Sequence, residues 1–358
     1  MSNSPKIKIG IIGAGNIGGV HAEQFSKLSD LCEIRTITDV YLPAAEQKAK
    51  QYNIASVSLS AEELIARDDV DAVIIGAPNK YHASLAVKAL ASGKHVLLEK
   101  PMAINGEEAR DIMRASEKYD SLLMVSHQMR WESIPMQIKE QVDRGELGHI
   151  YAAKAGWFRR KGIPGWGTWF TQKSESGGGP LIDIGVHMVD LALYLMGNPK
   201  PVSVYGSTYA EFGPKRKGIG NWGTPDWAGT FDVEDLAMAF IKMEDGSTLT
   251  LDLSWAVHMD TDNAPFIHLL GSDGGATYRG TQGKFLTEKF GLPMETLLQQ
   301  PASDEGERLR LSRHFLDCII SGKQPISSAF SGFTNNLLLD AIYESSRTGK
   351  EITLDYRY

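Results

Sequence analysis

Apolar and polar positions follow two different rhythms along this chain. From residue 6 to 126, short runs rich in β-branched residues recur between stretches of helical periodicity, the pattern of a parallel sheet wrapped by helices. The runs fall at 7–12, 34–38, 57–59, 70–75, 96–98 and 122–125, and they predict one doubly wound domain. Ser60 with Glu63, and more weakly Asn105 with Glu108, fit capping boxes and mark helix starts.

After about residue 130 the rhythm changes. A helix is expected over 134–144, strands over 150–158 and 202–211, and a hairpin of 236–243 with 248–255 turned by Glu244-Asp245-Gly246. A further strand at 266–270 runs into the turn Ser272-Asp273-Gly274-Gly275, and helices close the chain at 305–320 and 333–348. The expectation is an α/β protein: a Rossmann doubly wound domain over 1–128, then an α+β domain over 129–358 on a large, mostly antiparallel open sheet. The Gly/Pro/Trp-rich stretch 213–230 reads as a long loop, and such loops in compact domains are often functional.

Composition narrows the partners. A chain of 358 residues with 42% hydrophobic content can fill two cores, and a net charge of -7 leaves no basic surplus for a phosphate backbone. Small molecules are therefore expected rather than nucleic acid. The two cysteines, Cys32 and Cys318, lie far apart with no partner motif, so they read as buried thiols in a reducing cytoplasm. The start of the chain, Met1 to Pro5, is short and polar and is expected to lead straight into a strand. No apolar stretch approaches a membrane span on this reading, and a cytoplasmic location is expected.

Gly13-Ala14-Gly15-Asn16-Ile17-Gly18 follows the first strand and opens a helix. In that context G-x-G-x-x-G is a dinucleotide fingerprint: glycines permit the tight turn and the approach of the pyrophosphate to the helix N-terminus. Asp39 ends the second strand about 20 residues further on, where an acid accepts both ribose hydroxyls and repels a 2′-phosphate. Tyr41 and Leu42 follow it rather than an arginine, so NAD is favoured over NADP. Asp39 could also serve only to cap the next turn.

Glu99-Lys100-Pro101 sits at the carboxyl end of the fifth strand, where open α/β sheets place their ligand crevice. Lys100 would then face the nicotinamide. Further on, Gly177-Gly178-Gly179-Pro180 leads into a segment apolar on nearly every side, which implies a buried helix. At 100° per residue, Asp183, His187, Asp190 and Tyr194 share a stripe of roughly 60° on it. That stripe either lines a substrate cavity or is a self-satisfied set in which His187 bonds Asp183 or Asp190. A metal pair of Asp183 and His187 ranks below the acid/base role, because no third ligand is evident.

These segments together resemble the Gfo/Idh/MocA family, named after glucose-fructose oxidoreductase and inositol dehydrogenase. The glycine turn, Ala77-Pro78-Asn79 with His82, Glu99-Lys100-Pro101 and the 178–190 segment stand in the family's order over nearly the whole chain. Ala77 departs from the hydroxyl residue common there. The resemblance implies NAD(P)-dependent oxidation or reduction of a hydroxyl or carbonyl of a sugar or polyol, with Lys100, Asp183 and His187 as the catalytic set. It also implies Ala77, Pro78, Asn79, His82 and Glu99 as cofactor contacts, no metal, and an open sheet that often packs subunits into dimers or tetramers.

In such a mechanism His187 is the base, Asp183 orients it or the substrate, and Lys100 stabilises alkoxide character. All seven tryptophans lie at or after position 131, and aromatic faces suit sugar rings. Trp166 and Trp222 in glycine-rich loops, together with Arg159, are the expected substrate contacts. Two rivals stand beside a sugar dehydrogenase: a redox-neutral NAD-dependent glycosidase and a non-enzymatic nucleotide-sensing regulator. Retention of Lys100, Asp183 and His187 argues against the regulator.

Overall fold

A computed structural model describes residues 6–260 and 263–358; the polar start, Met1 to Pro5, lies outside the described residues. The first domain alternates strand and helix: β1 (Ile7–Ile12), α1 (Asn16–Ser26), β2 (Cys32–Thr38), α2 (Leu42–Tyr52), β3 (Ser56–Val57), α3 (Ala61–Ile65), β4 (Ala72–Ile75), α4 (His82–Ala91), β5 (His95–Leu98), α5 (Gly106–Lys118) and β6 (Leu123–Val125). The strands form a six-stranded parallel sheet in the order β3-β2-β1-β4-β5-β6. Its two central strands are buried on both faces, which is why they read as continuous apolar runs rather than alternating ones. Both expected capping residues act: Ser60 accepts from the Glu63 N–H at 3.1 Å and Asn105 from that of Glu108 at 2.9 Å.

The second sheet has nine strands in the order β14-β13-β12-β11-β7-β10-β9-β8-β15. They are β7 (Ile150–Phe158), β8 (Pro201–Tyr209), β9 (Leu236–Met243), β10 (Thr248–Ser254), β11 (Pro265–Gly271), β12 (Gly275–Arg279), β13 (Gln282–Lys289), β14 (Leu292–Leu298) and β15 (Ile352–Thr353). Every pairing is antiparallel except β7 with β10. The hairpin β13–β14 had no signal in the pattern, because β14 exposes nearly all its residues and shows no apolar alternation.

The helices of this half are α6 (Ser133–Asp143), the short α7 (Lys173–Ser176), α8 (Val186–Leu195), α9 (Glu307–Ser321) and α10 (Ala329–Thr348). The segment 173–195 is long and apolar enough to cross a membrane by length and composition, with mean hydropathy 1.2, contrary to expectation. Of its most apolar 18-residue window, 89% is buried inside the protein, as in a core helix. The last two helices return to the first domain. Leu311, Phe315 and Leu316 of α9 share a core with Ile9, Phe25 and Ile37, and Phe333 and Leu337 of α10 share one with Val73, Val96 and Ile112.

Candidate active site

One cleft of about 960 Å³ runs from the carboxyl ends of β1, β2 and β4 to the start of α8. Its floor is the glycine turn. Gly13 adopts φ +99°, and a Cβ there would lie 2.6 Å from the Gly76 carbonyl oxygen; one on Gly18 would lie 1.9 Å from that of Gly13. Both positions therefore require glycine for the chain to turn and for α1 to begin. A Cβ on Gly15, by contrast, would meet nothing within 4 Å. Gly15, Asn16 and Ile17 all line the cleft, so the first free N–H groups of α1 open onto space fit for a diphosphate.

Asp39 lines the same cleft. One carboxylate oxygen accepts the Ala14 N–H at 2.7 Å and the other the Tyr41 N–H at 2.8 Å. Asp39 thus performs the turn-capping task and, with lone pairs remaining on both oxygens, keeps capacity for ribose hydroxyls.

Ala77, Pro78, Asn79 and His82 also line the cleft, but the two polar side chains are engaged elsewhere. Asn79 donates to the Ser176 carbonyl at 2.9 Å, tying the first domain to α7. The buried His82 ring lies between two carbonyl oxygens, Nδ1 2.7 Å from Pro101 and Nε2 2.8 Å from Ala77. Both ring nitrogens face protein carbonyls, and the neutral ring donates to one of them, so His82 is engaged by the cleft loops rather than by the cofactor.

Glu99 is buried beneath Lys100. It accepts from His21 Nε2 at 2.8 Å and from the Lys100 backbone N–H at 3.2 Å. Burial pushes its carboxyl up, but the His21 hydrogen bond and the charges of His21, Arg308 and Lys100 outweigh that and hold it at about 2. Lys100 itself reaches across to the second domain, donating to the Asp183 backbone oxygen at 2.9 Å and to Asp183 Oδ1 at 3.3 Å. An ammonium carries three donors, so one stays available to a bound molecule.

The segment after Pro180 begins with a single π-helical turn, Leu181–Gly185, before α8. Its entry is built on Glu234, whose carboxylate accepts the Gly179 N–H at 3.0 Å, the Leu181 N–H at 2.9 Å and the Tyr343 hydroxyl at 2.9 Å. Burial raises the Glu234 pKa despite these donors. The glycines before the helix admit neighbouring chain segments: a Cβ on Gly179 would fall 2.0 Å from the Glu234 carbonyl oxygen.

The predicted polar stripe divides in two. Asp183 and His187 face the cleft. Asp190 is fully engaged in the core, with Arg130 donating to both of its oxygens at 2.5 and 2.7 Å and Asn335 at 2.9 Å, while Tyr194 packs 4.7 Å under the same guanidinium. The self-satisfied reading holds only in that Asp190 is paired in the core, by Arg130 and Asn335 from outside the stripe. It does not hold for His187, which makes no hydrogen bond to Asp183, Asp190 or any other described residue; its Nδ1 is buried without a partner. Both Asp183 oxygens are occupied, Oδ1 by Lys100 and Oδ2 by Trp255 Nε1 at 3.1 Å, so Asp183 anchors Lys100 instead of orienting the histidine. Burial, then the charges of Lys100, His127, Arg308 and Arg159, hold the His187 pKa well below its ordinary value. The ring is neutral at physiological pH, the form that accepts a proton. Among the described residues no group of three His, Cys, Asp or Glu side chains could hold a metal ion.

The outer wall is aromatic: Trp169, Phe170 and Trp222 line the cleft, with Phe170 edge-on to Trp222 at 4.7 Å. Trp222 is where the sequence suggested. Trp166 is not. It is 5% exposed, its Nε1 donates to the Gly213 carbonyl at 2.8 Å, and it stacks on Trp227 at 5.6 Å with Arg216 at 4.8 Å. It pins the 213–230 loop that carries Trp222. Arg159 sits behind the lining, 4.9 Å over Trp157 with its Nε unpartnered; burial lowers its pKa while the Asp183 charge acts the other way. Trp169, Phe170, Trp255 and Arg308 were not singled out. The first two belong to the aromatic-rich segment 157–170, whereas nothing in the pattern marks the others.

The fold and this cleft define an NAD-dependent oxidoreductase. The oxidoreductase family with NAD-binding Rossmann fold matches residues 7–127, and the GFO/IDH/MocA C-terminal domain matches 136–277. D-glucoside 3-dehydrogenase of Escherichia coli (strain K12) is 34% identical over 355 residues, 99% of this chain and 99% of the relative. The NAD(+)-dependent scyllo-inositol 2-dehydrogenase of Bacillus subtilis (strain 168) is 25% identical over 98% of this chain and 97% of its own. A solved levoglucosan dehydrogenase in complex with NADH shares the fold, with TM-score 0.88 and 21% identity over 98% of this chain and 99% of that one. The chain belongs to the Gfo/Idh/MocA family.

Proposed function

We propose that this protein oxidises a secondary ring hydroxyl of a glucoside, at the 3-position, and passes the hydride to NAD. The observation that carries the reading is the convergence of a neutral, unbonded His187 and a Lys100 with one free donor in the cleft that the glycine turn opens. The choice of a glucoside rests on the full-length similarity to the D-glucoside enzyme and on the aromatic wall that offers ring faces to a sugar.

When bound, NAD supplies the hydride acceptor. His187 takes the hydroxyl proton. The third Lys100 N–H donates to the same oxygen as charge develops on it, and the cation offsets the weakness of a base whose own pKa is depressed. Asp183 and Trp255 hold Lys100 in place, Asp183 accepting from Lys100 through Oδ1 and from Trp255 through Oδ2.

In this reading residues 1–128 carry the cofactor and 129–358 the sugar and self-association, as a cytoplasmic homodimer or homotetramer without nucleic-acid or membrane partners. Support for association comes from the second sheet, which exposes Tyr205, Met238, Phe240 and Leu270; support for a reducing compartment comes from two free, buried cysteines. A panel of glucosides, their 3-deoxy analogues and inositols, followed by nicotinamide absorbance with NAD, tests the chemistry. Net NADH with a glucoside and none with its 3-deoxy analogue is expected. Glycoside cleavage without net NADH would establish the redox-neutral alternative, and turnover of inositols alone would overturn the glucoside assignment.

A further inference from the structure

Arg308 lies in the first turn of α9, and its side chain lines the cleft beside Gly15, Asn16 and Glu99. The side chain is only 26% exposed, yet among the described residues its guanidinium makes no hydrogen bond. Its one ionic neighbour is Glu99, with Oε1 3.6 Å from Nη1, beyond hydrogen-bond reach. The hydrogen bonds of that carboxylate come from His21 and the Lys100 N–H, and Arg308 adds only its charge. A planar cation with five donors thus lines the cleft with no hydrogen-bond acceptor among the described residues, which leaves its donors open to an anion in the cleft.

Its place along α1 indicates which anion. Leu311 and Phe315 of α9 pack in one core with Ala22 and Phe25 of α1, the Phe25 and Phe315 rings meeting edge-on at 6.5 Å. Arg308 is roughly two turns, about 10 Å by helix rise, before Phe315. Its proximity to the carboxylate that holds His21 puts it at the level of the first turns of α1. That end of α1 presents free N–H groups and the positive end of the dipole to open space above Gly15. A guanidinium fork matches two phosphate oxygens at once.

We infer that Arg308 is a cofactor-binding residue that clamps the diphosphate of NAD from the second half of the chain, opposite the α1 N-terminus. The inference rests on the reading of the cleft as the NAD site, and it makes the cofactor a bridge between the two halves. Calorimetric titration of NADH, ADP-ribose and adenosine into wild type, Arg308→Lys and Arg308→Met tests it. Expected is a loss of roughly 10- to 100-fold for NADH and ADP-ribose in Arg308→Met, a smaller loss in Arg308→Lys, and no change for adenosine. If Arg308→Met does not fold, Arg308→Gln carries the same test. NADH affinity within twofold of wild type in the folded variant would overturn the inference. So would intact NADH affinity with a raised sugar KM, which would assign Arg308 to an anionic substrate. Wild type that binds no NADH would instead remove the cofactor reading itself.

Discussion

The cofactor wall of the cleft is mostly backbone from a few consecutive turns, whereas the substrate wall is side chains gathered from segments between Lys100 and Trp255. On the cofactor side, polar side chains such as Asn79 and His82 hold loops in place, so recognition falls to N–H groups, one carboxylate, Asp39, and the inferred Arg308 guanidinium. On the substrate side, His187 and the third donor of Lys100 remain free because Asp183, Trp255, Glu234 and the Arg130–Asp190 pair take up the other bonds. Reactive groups stay uncommitted only where neighbours are fully committed.

The sharpest way to break this division is at the reactive groups. His187→Ala and Lys100→Ala should each lower turnover by roughly 10² to 10⁴, with NADH affinity little changed in His187→Ala. Full activity in a folded His187→Ala protein would return that histidine to a packing role. Next comes the tryptophan pair. Trp166→Ala should lose about 3–5 kcal/mol of stability, as large core truncations do, read from denaturant unfolding. Trp222→Ala should leave unfolding unchanged and raise the sugar KM; an unaffected KM would place the sugar elsewhere.

A smaller effect is expected at Asp39. Replacing it with serine removes the like charge that a 2′-phosphate meets, so the preference for NAD over NADP should narrow by roughly tenfold, a change of about 1.4 kcal/mol. Equal cofactor affinities in the wild type would contradict the assignment. A further effect concerns acid stability. Burial holds the His127 pKa at about 4, below the unfolded value of about 6.5. Between those pH values the unfolded chain binds more protons, so stability is present above about 6.5 and is lost as pH falls toward 4. Melting temperature should decline over that window, and His127→Gln should flatten the decline.

Much of this was legible beforehand. The glycine turn, Asp39, Lys100 and His187 were named because each belongs to a local signal: a strand end, a helix start or a buried helix with unexpected polarity. At Trp166 composition points to substrate, because the ring stands in a glycine-rich loop, while only its neighbours show that it faces the protein's own Arg216 and Trp227.

By itself the amino-acid order determined the alternation of β1 through β6 with their helices, the nucleotide turn and the family, since all three depend on contacts within a few turns of chain. Tertiary structure alone decided that the polar stripe of α8 divides between cleft and core, that both Asp183 oxygens are occupied, and that α9 returns to bring Arg308 beside Glu99. Those are contacts between residues dozens to hundreds of positions apart. Periodicity reports which face of an element is buried, but not which distant side chain meets it there.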